Sequence, residues 1–380
     1  MTINSQTPAW ATAAVLVGRL IFAAVFLMKT FISILALSMA SLSSSAALGA
    51  EDPPTWAYPV NPPDFKPRAE DGIARRVPAS SATYSVTQLR DRFISPVWHP
   101  NDHPPLPSVV AQGRKPNVFA CGFCHRAEGT GGPENASLAG LPAGYIVQQM
   151  ADYKSGARKT SVQKRNIDLM IALSKDITDA EVQAAAAYFS ALKPKSNIRV
   201  VETASVPKTV VAGWFLTAAD TREKEPIGQR IIEMPEDLEQ FENRDPRSHF
   251  VAYVPIGSVA RGEALVSTGG GKTLQCAICH GQDLKGLGEL PSIAGRSPSY
   301  IVRQLYDIQN GARAGKGAQL MKAAVANLTV EDMSRYLTLH PNDVIWFGCD
   351  GPTEPALKPG DLVEVVNDAM GVLANRVVSA

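Results

Sequence analysis

Cys121-Gly-Phe-Cys124-His125 and Cys276-Ala-Ile-Cys279-His280 repeat one pentapeptide pattern and use four of the chain's five cysteines. Two thiols three positions apart can each add to one vinyl group of a haem, and the histidine that follows is then held under the ring as an iron ligand. The pattern therefore implies two covalently bound haems c. Cys121, Cys124, Cys276 and Cys279 are the attachment points, and His125 and His280 the proximal ligands. A zinc site or a redox dithiol is the competing chemistry, since thiolate and imidazole also suit zinc. Two features weigh against it: the motif recurs inside a long internal repeat, and an export signal precedes it.

The repeat organises the chain. Cys276 follows Cys121 by 155 positions, and the same offset carries Leu138-Ala-Gly140 onto Ile293-Ala-Gly295, Tyr145-Ile-Val-Gln-Gln149 onto Tyr300-Ile-Val-Arg-Gln304, and Gly156-Ala-Arg158 onto Gly311-Ala-Arg313. Self-similarity at a fixed offset marks a duplicated unit. Each unit reads as an attachment turn, a Gly-rich loop and a helix (Ala143 to Lys154; Pro298 to Gln309). A ligand-bearing loop and a last helix, Thr178 to Leu192 in the first unit, follow. The helices rest on the spacing of apolar residues such as Tyr145, Val147, Met150 and Tyr153 between Gly144 and Gly156.

The sixth iron ligand decides between carrier and enzyme. Met170 lies seven residues before Ile177-Thr178, and Met321 seven before Leu328-Thr329. Methionine is ordinarily a core gap-filler. At matching positions of both copies it is expected on the iron, because His/Met is one of the few standard haem ligations. Met150 has Leu305 as its counterpart and belongs to the core. His99 and His103 stand among prolines and are expected to pack or face solvent. Arg158 and Arg313 are candidates for pairing with haem propionates, as a guanidinium matches a carboxylate fork; the alternative is an exposed charge at a helix end. Tyr145 and Tyr300 are weaker candidates for that role.

The ends and the spacer complete the outline. Residues 1–50 read as a leader. From Met28 a basic start, an apolar run and the Ser/Ala-rich stretch to Ala50 form a secretory signal, with Met28 as a possible true start. Cleavage near Ala50 is the expectation, because Lys29 and Arg19 would fall inside a retained span; an uncleaved leader would anchor the chain in a membrane. The mature protein is then periplasmic. Residues 51–108 are proline-dense and are expected to run extended over a domain, with one short helix near Thr87 to Phe93. Residues 109–194 and 258–337 hold the two units. Residues 195–257 form a small β-rich connector with strands at Ile198 to Val201, Val210 to Leu216, Ile227 to Ile232 and Phe250 to Ile256. Lys and Arg number 37 against 36 Asp and Glu, which leaves no field for nucleic acid. Cys349, the odd thiol, is expected to be a free cysteine without a role.

These residues resemble the class I cytochromes c, and their duplication resembles the tandem dihaem periplasmic cytochromes. The resemblance implies a mainly α fold with two haem-wrapping domains in tandem, electron transfer as the activity, and redox proteins as donor and acceptor. The long connector and proline-rich extension depart from the compact tandem type, which suits docking as the cytochrome subunit of a dehydrogenase or oxidase system. The last forty residues, from Leu337-Thr-Leu-His-Pro through Leu357-Lys-Pro-Gly-Asp to Gly371-Val-Leu-Ala-Asn-Arg-Val-Val, resemble the C-terminal strands of the fumarylacetoacetate hydrolase family. No acidic metal site precedes them to support hydrolase chemistry, so 338–380 is a short β-rich tail. It interrupts the second unit's last helix near Tyr336, which should leave that unit less stable than the first. The rival function is a dihaem peroxidase-like enzyme, which requires one iron able to open.

Overall fold

In the first unit, four helices gather around the attachment turn: α2 (Ser108–Ala111), α4 (Ala143–Ser155), α5 (Arg165–Asp176) and α6 (Asp179–Ala191), with α3 (Cys121–His125) carrying the motif and α1 (Val86–Arg90) lying upstream in the extension. Helix α4 buries Ile146, Gln149 and Tyr153 along one face, and Gly156 ends it in the left-handed conformation at φ 76°, which glycine adopts without steric cost. A reciprocal capping box starts α6, with Thr178 and Glu181 satisfying each other's backbone N–H. Val110, Val118, Ala186 and Phe189 form the centre of this core.

The computed structural model describes residues 51–334, together with two tail strands, Leu362–Asn367 and Gly371–Arg376, which pair antiparallel. The leader, Cys349 and the junction near Tyr336 lie outside the described residues. Among the described residues, no helix is long and apolar enough to cross a membrane.

Between the units, seven strands build the connector: β1 (Ile198–Glu202), β2 (Ser205–Pro207), β3 (Thr209–Ala212), β4 (Phe215–Ala218), β5 (Lys224–Pro226), β6 (Ile232–Pro235) and β7 (Phe250–Val254). A three-stranded mixed sheet, β1-β7-β6, pairs β1 parallel and β6 antiparallel to β7. The short helix α7 (Leu238–Glu242) leads out of β6. Two sequence expectations need correction here. Val210 to Leu216 is a hairpin, because Gly213 and Trp214 both take positive φ (62° and 75°), which turns the chain back on itself. Ile227 to Ile232 is chiefly the turn between β5 and β6, with Ile227 and Ile232 buried in a satellite core with Val206 and Leu216 and Ile231 in the second unit's core.

The second unit repeats the first with α8 (Ser258–Thr268), α9 (Ala277–His280), α10 (Pro298–Gln309), α11 (Lys316–Val325) and α12 (Val330–Ser334). Ser297 caps α10 and Pro298 occupies its first position, where the missing N–H costs nothing. Thr329 and Asp332 start α12 as Thr178 and Glu181 start α6, with Asp332 accepting from the Thr329 N–H and hydroxyl. In both units the methionine segment expected as a loop is helical, α5 and α11. Ile167, Met170 and Leu173 recur at helical spacing, as do Met321 and Val325, and this stripe outweighs the loop reading.

The connector is bolted to the second unit by Glu233 of β6. Its buried carboxylate accepts from the Ser297 hydroxyl at 2.7 Å, the Ser299 N–H at 2.9 Å and the Ser299 hydroxyl at 2.6 Å, all at the N-terminus of α10. An anion there meets free N–H groups and the positive end of the helix dipole. Glu233→Ala is expected to lower folding stability by about 2 kcal/mol, because three donors lose their acceptor. Denaturant titration checks this, and an unchanged midpoint would show that water replaces the carboxylate without loss.

Candidate functional site

The attachment helices are one turn long and end abruptly. His125 lies at the last position of α3 and His280 at the last of α9, and both rings are buried. Each ring places Nδ1 2.7 Å from a backbone carbonyl eleven residues downstream, that of Ala136 for His125 and of Pro291 for His280. A carbonyl only accepts, so Nδ1 carries the proton and donates. The tautomer is thereby fixed and Nε2 keeps its lone pair for a metal. Burial holds the imidazoles neutral, pulling His125 down to about 4 and lowering His280 in the same direction.

The thiols fit thioether formation better than zinc. All four motif cysteines are free of disulfides. Burial, with Cys124 alongside, pushes the Cys121 thiol up to about 12, so it stands protonated in the folded chain. Among the described residues, no three His, Cys, Asp or Glu side chains are arranged to hold a bare metal ion. The donor set therefore suits haem c: apolar sulfurs for the thioether links and a fixed imidazole Nε2 for iron.

The methionines stand at matching places. Met170 lies half-buried in α5, and Met321 lies half-buried in α11 against the second core. Met150 packs against the first core while its counterpart Leu305 is buried in the second, as the repeat implied. His99 is buried and pairs through Nε2 with Asp245 at 3.0 Å. His103 donates from Nδ1 to the Pro104 carbonyl.

Arg158 and Arg313 come together between the units. Arg158 is buried, and its guanidinium donates to Gln149 at 2.8 Å within its own unit and to Tyr300 at 2.9 Å and Gln304 at 3.1 Å in the other. Arg313 mirrors it, donating to Gln304 at 3.2 Å in its own unit and to Tyr145 at 2.8 Å and Gln149 at 2.9 Å across the boundary. Backbone bonds from Lys159 to Ala312 and from Ala314 to Ala157 close the same seam. The duplicated Gly-Ala-Arg segments thus clasp each other about a local pseudo-twofold axis. Arg296 adds bonds from the second unit to Ser137 and Ala139 of the first. The partners Gln149 and Gln304 were missed in sequence although they occupy equivalent repeat positions, because a glutamine on a helix carries no chemistry until its neighbours are known. Arg126, Arg244 and Glu128 were also missed, and no periodicity marks them.

Residues 110–193 match the family model described as cytochrome c, and residues 304–378 match that of the fumarylacetoacetate hydrolase C-terminal region. The first unit matches a cytochrome c domain, and the chain as a whole resembles the class I cytochromes c, in keeping with haem binding and electron transfer. More particularly, it is similar to the thiosulfate dehydrogenase electron acceptor of Thiomonas intermedia (strain K12), 26% identical over 60% of this chain and 81% of that protein. It is also similar to cytochrome c4 of Pseudomonas aeruginosa, 25% identical over 56% of this chain and 79% of that one. The crystal structure of reduced recombinant cytochrome c4 from Pseudomonas stutzeri superposes with a TM-score of 0.37 at 20% identity, covering 57% of this chain and 89% of that chain. The hydrolase match takes in the tail and reaches back to Gln304 in α10.

Proposed function

We propose that the chain is an exported, periplasmic dihaem carrier of single electrons, with one haem c in each unit. His125 and Met170 hold one iron, and His280 and Met321 the other. The duplicated histidine geometry carries this reading: each Nδ1–H is committed to a carbonyl at the same offset, and each unit keeps a methionine at the same place in the helix that follows. A thioether opposite imidazole favours ferrous iron and raises the potential, which suits passing electrons more than binding small molecules. Arg158 and Arg313 each keep donor capacity beyond three bonds, since a guanidinium has five N–H groups, and that capacity would serve haem propionates at the seam. The partners are redox proteins. Relatives named for thiosulfate dehydrogenase and sulfide dehydrogenase favour a periplasmic dehydrogenase of reduced sulfur compounds as donor.

The test is the visible spectrum of the reduced protein, produced in a host that matures c-type haem, before and after carbon monoxide. No change is expected, since a methionine on each iron leaves no open position. A shift in about half of the haem would mean that one site opens and would favour the peroxidase-like reading. Met170→Ala and Met321→Ala are each expected to make about half of the haem responsive, because each removes one of two axial thioethers. A variant that stays silent would remove that methionine from the assignment.

A further inference from the structure

The two attachment faces differ in what covers them. On the first unit, the extension and connector close over α3. Ser95 packs so tightly that a Cβ at Gly122 would fall 2.1 Å from its hydroxyl oxygen. The Ala120 N–H donates to the Arg92 carbonyl at 2.9 Å. The Arg244 guanidinium lies 3.7 Å from the centroid of the Phe123 ring and donates to the carbonyls of Phe123 and Leu89. Arg126 is buried beneath Phe241 of α7, its guanidinium 5.3 Å from that ring. Phe123, between the two cysteines, is only 7% exposed.

Among the described residues, the second unit has no such cover. Ile278, the counterpart of Phe123, is 63% exposed, and Leu274 and Leu287 beside the motif are 58% and 60% exposed. Cys279 is exposed where Cys124 is half-buried. The backbone tells the same story. Arg126 holds φ 66° and ψ 158°, a region nearly reserved for glycine, and its counterpart Gly281 takes φ 83° and ψ 157°. A non-glycine residue persists in that strained region only where its side chain is held in place, here against Phe241.

We infer that the extension and connector insulate the first haem site, and that electrons enter and leave through the apolar face around Ile278 on the second. The occupant of that face is a protein redox partner. The equivalent face of the first unit already seats a protein surface, an aromatic ring and a guanidinium from the connector, so this class of face is built to be covered by protein. Two exposed leucines flanking an exposed isoleucine form the apolar centre such a contact needs. The inference rests on the dihaem-carrier reading and deepens it by naming the port.

The test uses the full chain with haem bound. Mass measurement of covalent haem comes first: two per chain in the wild type, and one each in Cys121→Ala/Cys124→Ala and Cys276→Ala/Cys279→Ala. A single haem in the wild type would overturn the carrier reading and the port together. Given two haems, hydroxyl-radical footprinting should label Ile278 heavily and Phe123 hardly at all, after correction for intrinsic reactivity. Arg244→Ala and Arg126→Gly should raise labelling of Phe123 without changing that of Ile278. Equal corrected labelling of the two residues in the wild type would overturn the insulation whatever the variants do. Reduction by a reduced single-haem cytochrome c, used as a protein probe, should then slow at least about fivefold in Ile278→Glu, because a charge enters the apolar centre of the contact. Its reduction by a small photogenerated flavin semiquinone should change by less than about twofold, since a small donor needs no such contact. An unchanged rate with the protein probe would leave the carrier reading standing and sink the port.

Discussion

Arg158→Ala and Arg313→Ala are each expected to destabilise the folded chain by about 3 kcal/mol, and the double variant by more than the sum. Each guanidinium makes three charge-assisted hydrogen bonds at the seam, of a kind worth about 1.5–3 kcal/mol apiece, while the buried charge it removes returns part of that cost. The non-additivity follows from shared acceptors. Gln149 Oε1 accepts from both arginines, and so does Gln304 Oε1. Losing one arginine leaves each amide oxygen satisfied by the other and also relieves the repulsion between two like charges. Losing both leaves the oxygens unpaired, and the repulsion can be relieved only once. A coupling energy of roughly 1 kcal/mol is the expected outcome of a double-mutant cycle read by denaturant unfolding. Strict additivity would show that the two guanidiniums act independently and that the clasp is not one unit. Tyr145→Phe and Tyr300→Phe remove one acceptor each and should cost less, about 1 kcal/mol, since the other bonds of each arginine persist.

How far the sequence revealed this depended on whether a feature was local. Helices α4 and α10 fall where the apolar spacing and their flanking Gly156 and Ser297 put them, because propensity, capping and burial act within a few residues. The two Cys-x-x-Cys-His motifs were legible for the same reason, their pattern being contained in five residues. The helical state of α5 and α11 was obscured by treating Met170 and Met321 as loop ligands, although their neighbours carry the stripe. The connector was legible only as β-rich. Its central sheet joins β1 to β7 across some fifty residues, and no local signal sets that pairing. Trp214 at positive φ defeats a reading from composition, since a bulky residue rarely turns a hairpin. The seam and the cover over α3 were invisible for a further reason. Arg126 and Arg244 carry no local signal until the fold brings Phe241 and Phe123 against them. One faint signal was present: Gly122 stands where the second unit has Ala277, and Ser95 packs where a Cβ at Gly122 would lie.

The contribution of Glu128 to folding stability is expected to fall by roughly 3 kcal/mol as pH rises from about 4.5 to above about 7, read as the difference between the wild type and Glu128→Gln, which shares every other titrating group. Glu128 is only 3% exposed, and neither carboxyl oxygen meets a hydrogen-bond donor on another residue. Burial pushes its carboxyl up to about 7. Asp102 and Asp245 push the same way and Lys195 opposes them, while the Tyr188 hydroxyl beside it is turned away, donating to the Ala127 carbonyl at 2.8 Å. The folded pKa thus lies above the ordinary value of 4.5, so the native state binds the proton more tightly than the unfolded chain does. The favourable contribution is complete below the unfolded pKa and is lost as pH climbs through the folded one. Glutamine keeps the shape and never ionises, so the variant should match the wild type near pH 4.5 and exceed it near pH 8. Denaturant titrations at those two pH values decide the matter. A difference between wild type and variant that is the same at both pH values would mean that the carboxylate is solvated or paired in solution. The position gives the result weight for the site: Glu128 follows His125 by three residues, in a segment pinned by Tyr188, so a charge forced into this pocket strains the same short stretch that fixes the His125 ring.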